Sequence, residues 1–329
     1  MRVFINCLFI NLLLLTSCDV LNSDNQKNYP VGTVSEIVRK SDGVLISAPF
    51  SGLNLALSHD SGLNWKREKI SDDDIRIRSI DTYKNNLVLL GINLWDNKIS
   101  VLFSSNNGSD WKNITKNLPE SGINMPRIKF TSDRYIVLSL DWEWYRFDIK
   151  NEVWDKITPA STPFSHPFID LTNDKIYALS DSLYKSSDEG DSWQGVSELL
   201  YESHESYMTY GILINDHIIG HSFDSKLYRI DTETGGLEMV NNQLRSDKYA
   251  KVFGADSDGN ILVSDGSELF FSNDLGDSWK SLGKPGSGED YRITSMVGLD
   301  RRYIVGTYAK GIYYIDKNET MWEKAYINQ

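Results

Sequence analysis

The sequence contains almost no cysteine. Only Cys7 and Cys18 occur in 329 residues, and both lie within the first 18 positions. The rest of the chain cannot form a disulfide, so its fold must be held together by burial of a core. Helical periodicity is nearly absent as well, and so are a phosphate-binding loop, a dinucleotide fingerprint and a nucleophile elbow. These absences exclude the common nucleotide-binding motifs and favour a chain of strands.

Positive charge is scarce. The chain has 34 Lys and Arg against 46 Asp and Glu, which gives a net charge of −12. An acidic surface repels phosphate backbones, so we expect no nucleic-acid partner. No calcium-binding loop motif accompanies the acids, and His217 and His221 share a strand face with no third ligand in view. We therefore expect neither a metal nor a cofactor.

The first 18 residues have the pattern of a lipoprotein signal peptide. Arg2 precedes an apolar run that ends at Leu15 and is too short to span a membrane comfortably. The sequence Leu-Thr-Ser-Cys that ends at Cys18 resembles a bacterial lipobox, in which the cysteine is lipidated and becomes the new N-terminus. This resemblance implies a lipid anchor at Cys18 and a place in the bacterial cell envelope. The alternative is a plain signal peptide cut near Cys18. Residues 19–28 are polar and rich in Asn and Asp, which predicts a flexible tether over residues 19–32.

One octapeptide pattern, S-x-[DN]-x-G-x-x-W, occurs four times. The copies are SHDSGLNW, SSNNGSDW, SSDEGDSW and SNDLGDSW, which start at Ser58, Ser104, Ser186 and Ser272. These starts are 46, 82 and 86 residues apart, so the period is in the low forties and two degenerate copies lie in the longer gaps. Residues 145–157 and 227–240 contain these two copies, and residues 312–327 contain a seventh.

Each repeat contains about four short apolar runs separated by polar turns. Four strands at a period near 40 are typical of a β-propeller blade, and circular closure protects sheet edges that an open stack would expose. We therefore predict an all-β propeller of seven four-stranded blades over residues 33–329, with six blades as the alternative. The last blade should end at Ile327. No leftover strand is evident for closing the ring, and residues 29–31 are the one candidate.

The residues of the octapeptide suit a tight turn. Glycine permits a positive φ, the Asp or Asn can accept backbone N–H bonds, the Ser can bond to nearby backbone, and the Trp can bury its ring over the turn. Asn106 can accept a bond without carrying a charge, which favours a structural role over an acid–base role. The predicted turn residues are Ser58, Asp60, Gly62, Trp65, Ser104, Asn106, Gly108, Trp111, Ser186, Asp188, Gly190, Trp193, Ser272, Asp274, Gly276 and Trp279.

The octapeptide resembles the Asp-box, or bacterial neuraminidase repeat. In proteins of that kind the box connects the third and fourth strands of a blade, on the side away from the substrate. The resemblance therefore implies a fold and not a reaction, because Asp-box propellers include sialidases, xyloglucan-type glycosidases, sortilin-like receptors and photosystem-assembly factors.

A sialidase-like glycoside hydrolase is one hypothesis for function. That family carries an arginine triad and an Arg-Ile-Pro signature, which is absent here, although Arg127-Ile-Lys and Arg292-Ile-Thr are partial matches on predicted innermost strands. Arg78 and Arg245 are further candidates. Asp141 and Glu143 would share a strand face, but hydrolysis needs two carboxylates across a cleft. The sequence does not identify the catalytic residues.

Non-catalytic binding is the hypothesis that we favour. Trp95, Trp142 and Trp144 lie in predicted connections between second and third strands, where they could stack on a sugar or contact a protein. Packing between blades is their alternative role. We therefore expect a monomeric envelope lipoprotein that binds a protein or glycan partner or assists assembly, with Arg127 and Arg292 as further candidate ligand contacts. A glycoside hydrolase acting on extracellular glycans remains the alternative.

Overall fold

A computed structural model describes the strands of the predicted propeller and many of its turns. The described residues are 34–49, 54–70, 75–93, 96, 98–119, 127–140, 143–157, 168–170, 175–179, 182–198, 208–222, 226–240, 252–265, 268–286, 292–308 and 310–328. The predicted signal peptide, Cys18, the tether and residues 29–31 lie outside them. Within these ranges the chain forms strands and turns, and none of them contains a helix long and apolar enough to cross a bilayer.

The strands form seven antiparallel four-stranded sheets, each from four consecutive strands, and we number these blades in chain order. Blade 1 consists of β1 (Val34–Arg39), β2 (Leu45–Pro49), β3 (Asn54–Ser58) and β4 (Asn64–Lys69). Blade 2 consists of β5 (Ile75–Tyr83), β6 (Asn86–Asn93), β7 (Ile99–Ser104) and β8 (Lys112–Asn113). Blade 3 consists of β9 (Arg127–Phe130), β10 (Tyr135–Leu140), β11 (Glu143–Asp148) and β12 (Val153–Lys156). Blades 4 and 5 consist of β13 (Phe168–Asp170), β14 (Lys175–Leu179), β15 (Ser182–Ser186), β16 (Gln194–Glu198); and β17 (Met208–Ile214), β18 (His217–Ser222), β19 (Leu227–Asp231), β20 (Leu237–Met239). Blades 6 and 7 consist of β21 (Val252–Ala255), β22 (Ile261–Ser264), β23 (Leu269–Ser272), β24 (Lys280–Gly283); and β25 (Ile293–Gly298), β26 (Arg302–Thr307), β27 (Gly311–Asp316), β28 (Glu323–Lys324).

The core lies between blades rather than inside one of them. The second strand of blade 3, β10, is buried at all six positions, because its two faces are covered by neighbouring blades. One apolar cluster combines Val88 and Leu90 of blade 2 with Ile128 and Ile136 of blade 3. A blade therefore needs a neighbour on each side to bury both of its faces, and this need favours a closed ring.

The ring closes with seven blades. The innermost strand β1 packs against β5 of blade 2 on one side and against β25 of blade 7 on the other. The prediction of a seven-bladed all-β propeller is confirmed, and the six-bladed alternative is wrong because all three degenerate repeats form complete blades.

A short C-terminal strand joins the last blade to the first. Strand β29 (Tyr326–Asn328) pairs in parallel with β4 of blade 1, and the Tyr326 N–H donates to Leu63 O at 3.0 Å. Ile327 packs against the apolar cluster that contains Trp65. The expectation that blade 7 would end at Ile327 is therefore wrong, because that blade ends with β28 and the remaining residues extend the sheet of blade 1.

The strand directions define two faces of the ring. The first strand joins the second, and the third joins the fourth, on the face where the octapeptides lie, which we call the octapeptide face. The second and third strands are joined, and successive blades are linked, on the opposite face. All four octapeptides and all three degenerate copies connect a third to a fourth strand, as the sequence predicts.

The four octapeptides, which we call octapeptide turns, share one hydrogen-bond pattern. In blade 4 the Ser186 hydroxyl donates to Asp188 Oδ1 at 2.8 Å and accepts the Gly190 N–H at 2.8 Å, while Asp188 Oδ1 also accepts the Ser192 N–H at 2.9 Å. Glu189 and Gly190 have φ angles of 58° and 95°, so two consecutive residues are left-handed. Glycine tolerates this conformation and glutamate tolerates it poorly, so the side-chain bonds offset a backbone cost.

The acidic residue of the turn is a hydrogen-bond acceptor in its ionised form. Burial raises the pKa of Asp60, but bonds from Asn64 and Ser58 outweigh burial and hold this pKa below its ordinary value. Blade 2 uses the reverse arrangement, because Asn106 stands where blade 1 has Asp60, and Asp110 stands where blade 1 has Asn64. Asn106 Nδ2 donates to Asp110 Oδ2 at 2.8 Å, and Asn64 Nδ2 donates to Asp60 Oδ2 at 2.7 Å. In both blades these two positions thus hold one carboxylate and one amide donor.

Tryptophans fasten the outer strand of one blade to the next. In three blades the indole N–H donates to a backbone carbonyl at the end of the preceding blade, which satisfies a donor that would otherwise be buried without a partner. The bonds run from Trp154 to Ile114 O at 2.6 Å, from Trp193 to Ile157 O at 3.0 Å, and from Trp322 to Leu282 O at 2.8 Å. Two of these tryptophans belong to degenerate repeats, which have lost the octapeptide but kept this contact.

Arginines fasten the octapeptide turns to the preceding blade. In three turns the carbonyl of the left-handed residue before glycine accepts a bond from an arginine of the neighbouring blade. The bonds run from Arg146 to Glu189 O at 3.0 Å, from Arg229 to Leu275 O at 3.1 Å, and from Arg302 to Ser61 O at 3.4 Å. All three arginines come from the blades with degenerate repeats, blades 3, 5 and 7, so these blades support the intact turns beside them.

The exchange between blades 1 and 2 gives a stability prediction. Asn106→Asp should lower the free energy of unfolding by about 1 kcal/mol, because it replaces the donor to Asp110 with a second carboxylate. Adding Asp110→Asn should restore most of this loss, because the pair then matches Asp60 and Asn64. Urea denaturation of the two variants and the wild type measures the effect. Equal stability of Asn106→Asp and wild type, or no recovery in the double variant, would contradict the account of the turn.

Candidate binding site

Basic residues collect on the innermost strands of blades 2 and 3. Arg76 and Arg78 alternate with buried isoleucines on β5, and Arg127 and Lys129 alternate with buried residues on β9. All four side chains are half-buried. Because innermost strands form the wall of the central channel in a propeller, we call these four residues the inner-strand basic cluster.

The two strands of the cluster are in direct contact. Arg127 Nη1 donates to the backbone carbonyl of Arg78 at 3.4 Å. Lys129 Nζ lies 3.3 Å from Asp81 Oδ1, and Asp81 Oδ2 accepts the Phe130 N–H at 2.9 Å. Asp81 therefore holds β9 against β5 and forms an ion pair with Lys129.

Carboxylates on the innermost strands have structural bonds. Among the innermost-strand side chains that the structure describes, only Glu36 and Asp81 are acidic. Glu36 Oε2 accepts the Ile80 N–H of the next blade at 2.7 Å, in the same way that Asp81 accepts the Phe130 N–H. Both acids therefore bond to the backbone of the following blade, and neither is paired with another carboxylate across an open space.

Arg127 and Arg292 do not converge. Arg127 is the first residue of β9 in blade 3 and belongs to the inner-strand basic cluster. Arg292 precedes β25 in blade 7, where its exposed guanidinium lies 4.5 Å from the ring centroid of Tyr308. Blades 3 and 7 are separated by other blades in both directions round the ring, so these two arginines are not neighbours. Arg78 lies beside Arg127, and Arg245 lies outside the described residues.

Trp144 packs between blades. Its side chain is fully buried, and its ring meets that of Trp193 edge to face, with the ring centroids 5.5 Å apart. The expectation that Trp144 offers a stacking surface is corrected by this burial, because a ligand cannot reach the ring. Trp95 and Trp142 lie outside the described residues, so their predicted contact with a ligand stays a prediction.

Glu143 is an ion-paired carboxylate that bonds to Lys156 and Tyr145. Bonds from Lys156 and from the Tyr145 hydroxyl hold the pKa of Glu143 below its ordinary value. A glycosidase acid needs the opposite shift, because it must keep its proton at neutral pH. Asp141, which the sequence predicts to share a strand face with Glu143, lies outside the described residues.

The sequence analysis missed Arg76 and Lys129, and a signal for them was present. Arg76-Ile-Arg78 and Arg127-Ile-Lys129 both alternate basic and apolar residues at the start of an innermost strand. Period-two alternation puts the basic side chains of each strand on one face. What the sequence does not show is that the two strands are neighbours in space, which follows from the number and order of the blades. No group of residues arranged to hold a metal ion occurs in the part of the chain that the structure describes.

No protein-family model matches the sequence, and no curated protein matches it. Solved structures of other proteins resemble the fold. YCF48 bound to D1 peptide is 14% identical over 88% of this chain and 93% of that chain, with a TM-score of 0.63. The GH74 enzyme of Niastella koreensis is 15% identical over 89% of this chain and 54% of that chain, with a TM-score of 0.67. Virginiamycin B lyase of Staphylococcus aureus is 10% identical over 86% of this chain and 94% of that chain, with a TM-score of 0.66.

These similarities establish a β-propeller and no more. Two of the three proteins are enzymes and the third holds a peptide, so the shared fold is compatible with catalysis and with binding. Function must therefore be argued from the side chains of this chain.

Proposed function

We propose that this protein is a non-catalytic propeller of the bacterial cell envelope that binds an acidic segment of a protein partner in its central channel. The observation that carries the proposal is the inner-strand basic cluster, Arg76, Arg78, Arg127 and Lys129, in a chain whose net charge is −12. Cations in a channel with walls of low dielectric constant focus the field and attract carboxylates. Arginine forks also bind carboxylates with two parallel hydrogen bonds.

The contacts of Glu36, Asp81 and Glu143 support binding over hydrolysis. Glu36 and Asp81 bond to backbone N–H groups of neighbouring blades, and Glu143 is stabilised in its ionised form. YCF48 bound to D1 peptide is a propeller of similar fold with a peptide ligand, which supports a peptide as the ligand class. The similar GH74 enzyme is the reason to keep a glycan in the test.

We further infer that the octapeptide turns are Asp-box repeats with a structural role and that Cys18 carries the lipid anchor. The shared bonds of Ser186 and Asp188 and of their counterparts in the other blades support the first inference. The lipobox-like sequence before Cys18 supports the second.

Binding to the cluster can be tested with a labelled oligoglutamate peptide. Fluorescence anisotropy should detect binding to the wild type that weakens as salt is added, because the contact is electrostatic. The double variant Arg76→Gln, Arg127→Gln should bind at least about tenfold more weakly, which corresponds to about 1.4 kcal/mol. Arg67→Gln, on the outer strand β4, is the matched control and should bind like the wild type.

Three outcomes would count against the peptide proposal. The first is equal affinity of the double variant and the wild type at an unchanged melting temperature. The second is equal loss in Arg67→Gln. The third is retention of a neutral glycan in place of the peptide, which would favour the glycan alternative. Release of a reducing sugar from such a glycan would instead identify a hydrolase.

The lipid anchor can be tested in a bacterial expression host. Cys18→Ala should move the protein from the membrane fraction to the soluble fraction, because the acyl chains that hold it would be lost. Cys7→Ala is the matched control, because it removes the other thiol and should leave the protein with the membrane. Membrane association of Cys18→Ala equal to that of the wild type would reject the anchor.

A further inference from the structure

The first strand of the propeller begins on the face opposite the octapeptides. Strand β1 starts at Val34 and runs towards the hairpin at residues 40–44, which lies on the octapeptide face. Val34 is also on an innermost strand, so the chain enters the propeller beside the central channel. A membrane anchor that precedes Val34 in the chain is therefore joined to the propeller through a strand that begins on the opposite face.

The distance between Cys18 and Val34 is limited by the 15 residues that separate them. Such a segment extends at most about 50 Å, and a flexible one has a root-mean-square length of about 20 Å. To bring the octapeptide face to a membrane, the segment would have to cross five strands of blade 1 and then pass along their length, a path of about 40 Å. A flexible segment takes such a stretched path rarely.

Charge opposes the same arrangement. In the connections that the structure describes on the octapeptide face, 13 exposed carboxylates stand against four exposed cations. The carboxylates extend round the ring, from Asp60 in blade 1 through Asp191 in blade 4 to Glu319 in blade 7. Anionic lipid headgroups would repel this face within about one Debye length, which is about 8 Å in physiological salt.

We propose that the anchored propeller faces the membrane with the mouth of its channel and presents the octapeptide face to the aqueous space. This inference rests on the proposed lipid anchor at Cys18. In this orientation the end of the channel on the opposite face opens towards the lipid. The proposed partner is therefore an acidic segment that emerges near the same membrane surface. Arg76 and Arg127 lie at the starts of their innermost strands, close to that mouth.

Two exposed asparagines provide matched positions for a probe. Asn54 is the first residue of β3 on the opposite face, and Asn318 lies in the connection after β27 on the octapeptide face. The chain has no cysteine after Cys18, so Asn54→Cys and Asn318→Cys each introduce a single thiol that accepts a fluorescent label.

The lipidated full chain, carrying one label, is reconstituted into phosphatidylcholine vesicles that contain phosphatidylglycerol and a nitroxide-headgroup lipid. Flotation first establishes that the protein is bound. Quenching at position 54 should then exceed quenching at position 318 at least about threefold, because nitroxide quenching requires close approach to the headgroups. Inserting a long Gly-Ser segment into the tether should bring quenching at the two positions closer together. The longer tether would let the propeller rotate relative to the membrane, which the native tether restricts.

The following outcomes contradict the orientation or the causes given for it. Equal quenching at the two positions, or stronger quenching at position 318, in bound protein overturns the orientation and leaves the lipid anchor intact. Failure of the wild type to float overturns the anchor and the orientation together. The difference in quenching between positions 54 and 318 should change when the tether is extended or when phosphatidylglycerol is left out of the vesicles. If it changes in neither case, then neither the tether nor charge sets the orientation.

Discussion

The structure depends on the contact that one blade makes with the turn of the next. Each intact octapeptide turn contains a left-handed residue before its glycine, and that residue is not glycine in any of the four turns. This conformation costs about 1–2 kcal/mol and leaves a carbonyl directed out of the turn. Arg146, Arg229 and Arg302 donate to this carbonyl from the preceding blade, so a local strain is stabilised by a contact between blades. The core lies between blades as well, which makes neighbours rather than single blades the unit of stability.

This division of roles explains why degenerate repeats persist. Blades 3, 5 and 7 have lost the octapeptide, yet they provide the three arginines, and Trp154 and Trp322 still bond to the preceding blade. A repeat can lose its own turn motif while it keeps the contacts that its neighbours need. Among the described residues, the acids of the turns and Glu36 and Asp81 of the innermost strands bond to backbone N–H groups and so have structural roles. The proposed binding function therefore rests on the inner-strand basic cluster.

Much of the fold could be predicted from the sequence, and the closure could not. Period, turn residues and strand pattern predict seven blades, because these features are local. The parallel pairing of β29 with β4 joins residues at the two ends of the propeller, and no local pattern indicates it. Trp144 shows the same limit, since a tryptophan near a predicted connection can contact a ligand or a neighbouring blade, and only its burial against Trp193 decides between them.

The most direct test of the account is a double-mutant cycle on Arg146 and Asp191, whose side chains meet between blades 3 and 4 at 2.7 Å. Unfolding free energies of Arg146→Met, Asp191→Ala and the double variant should give a coupling of about 1–2 kcal/mol, because the arginine is buried. Lys84 and Asp133 form an exposed ion pair between blades 2 and 3 at 3.1 Å and should give no measurable coupling. A coupling near zero for Arg146 and Asp191, equal to that of the exposed pair, would contradict the claim that contacts between blades stabilise the turns.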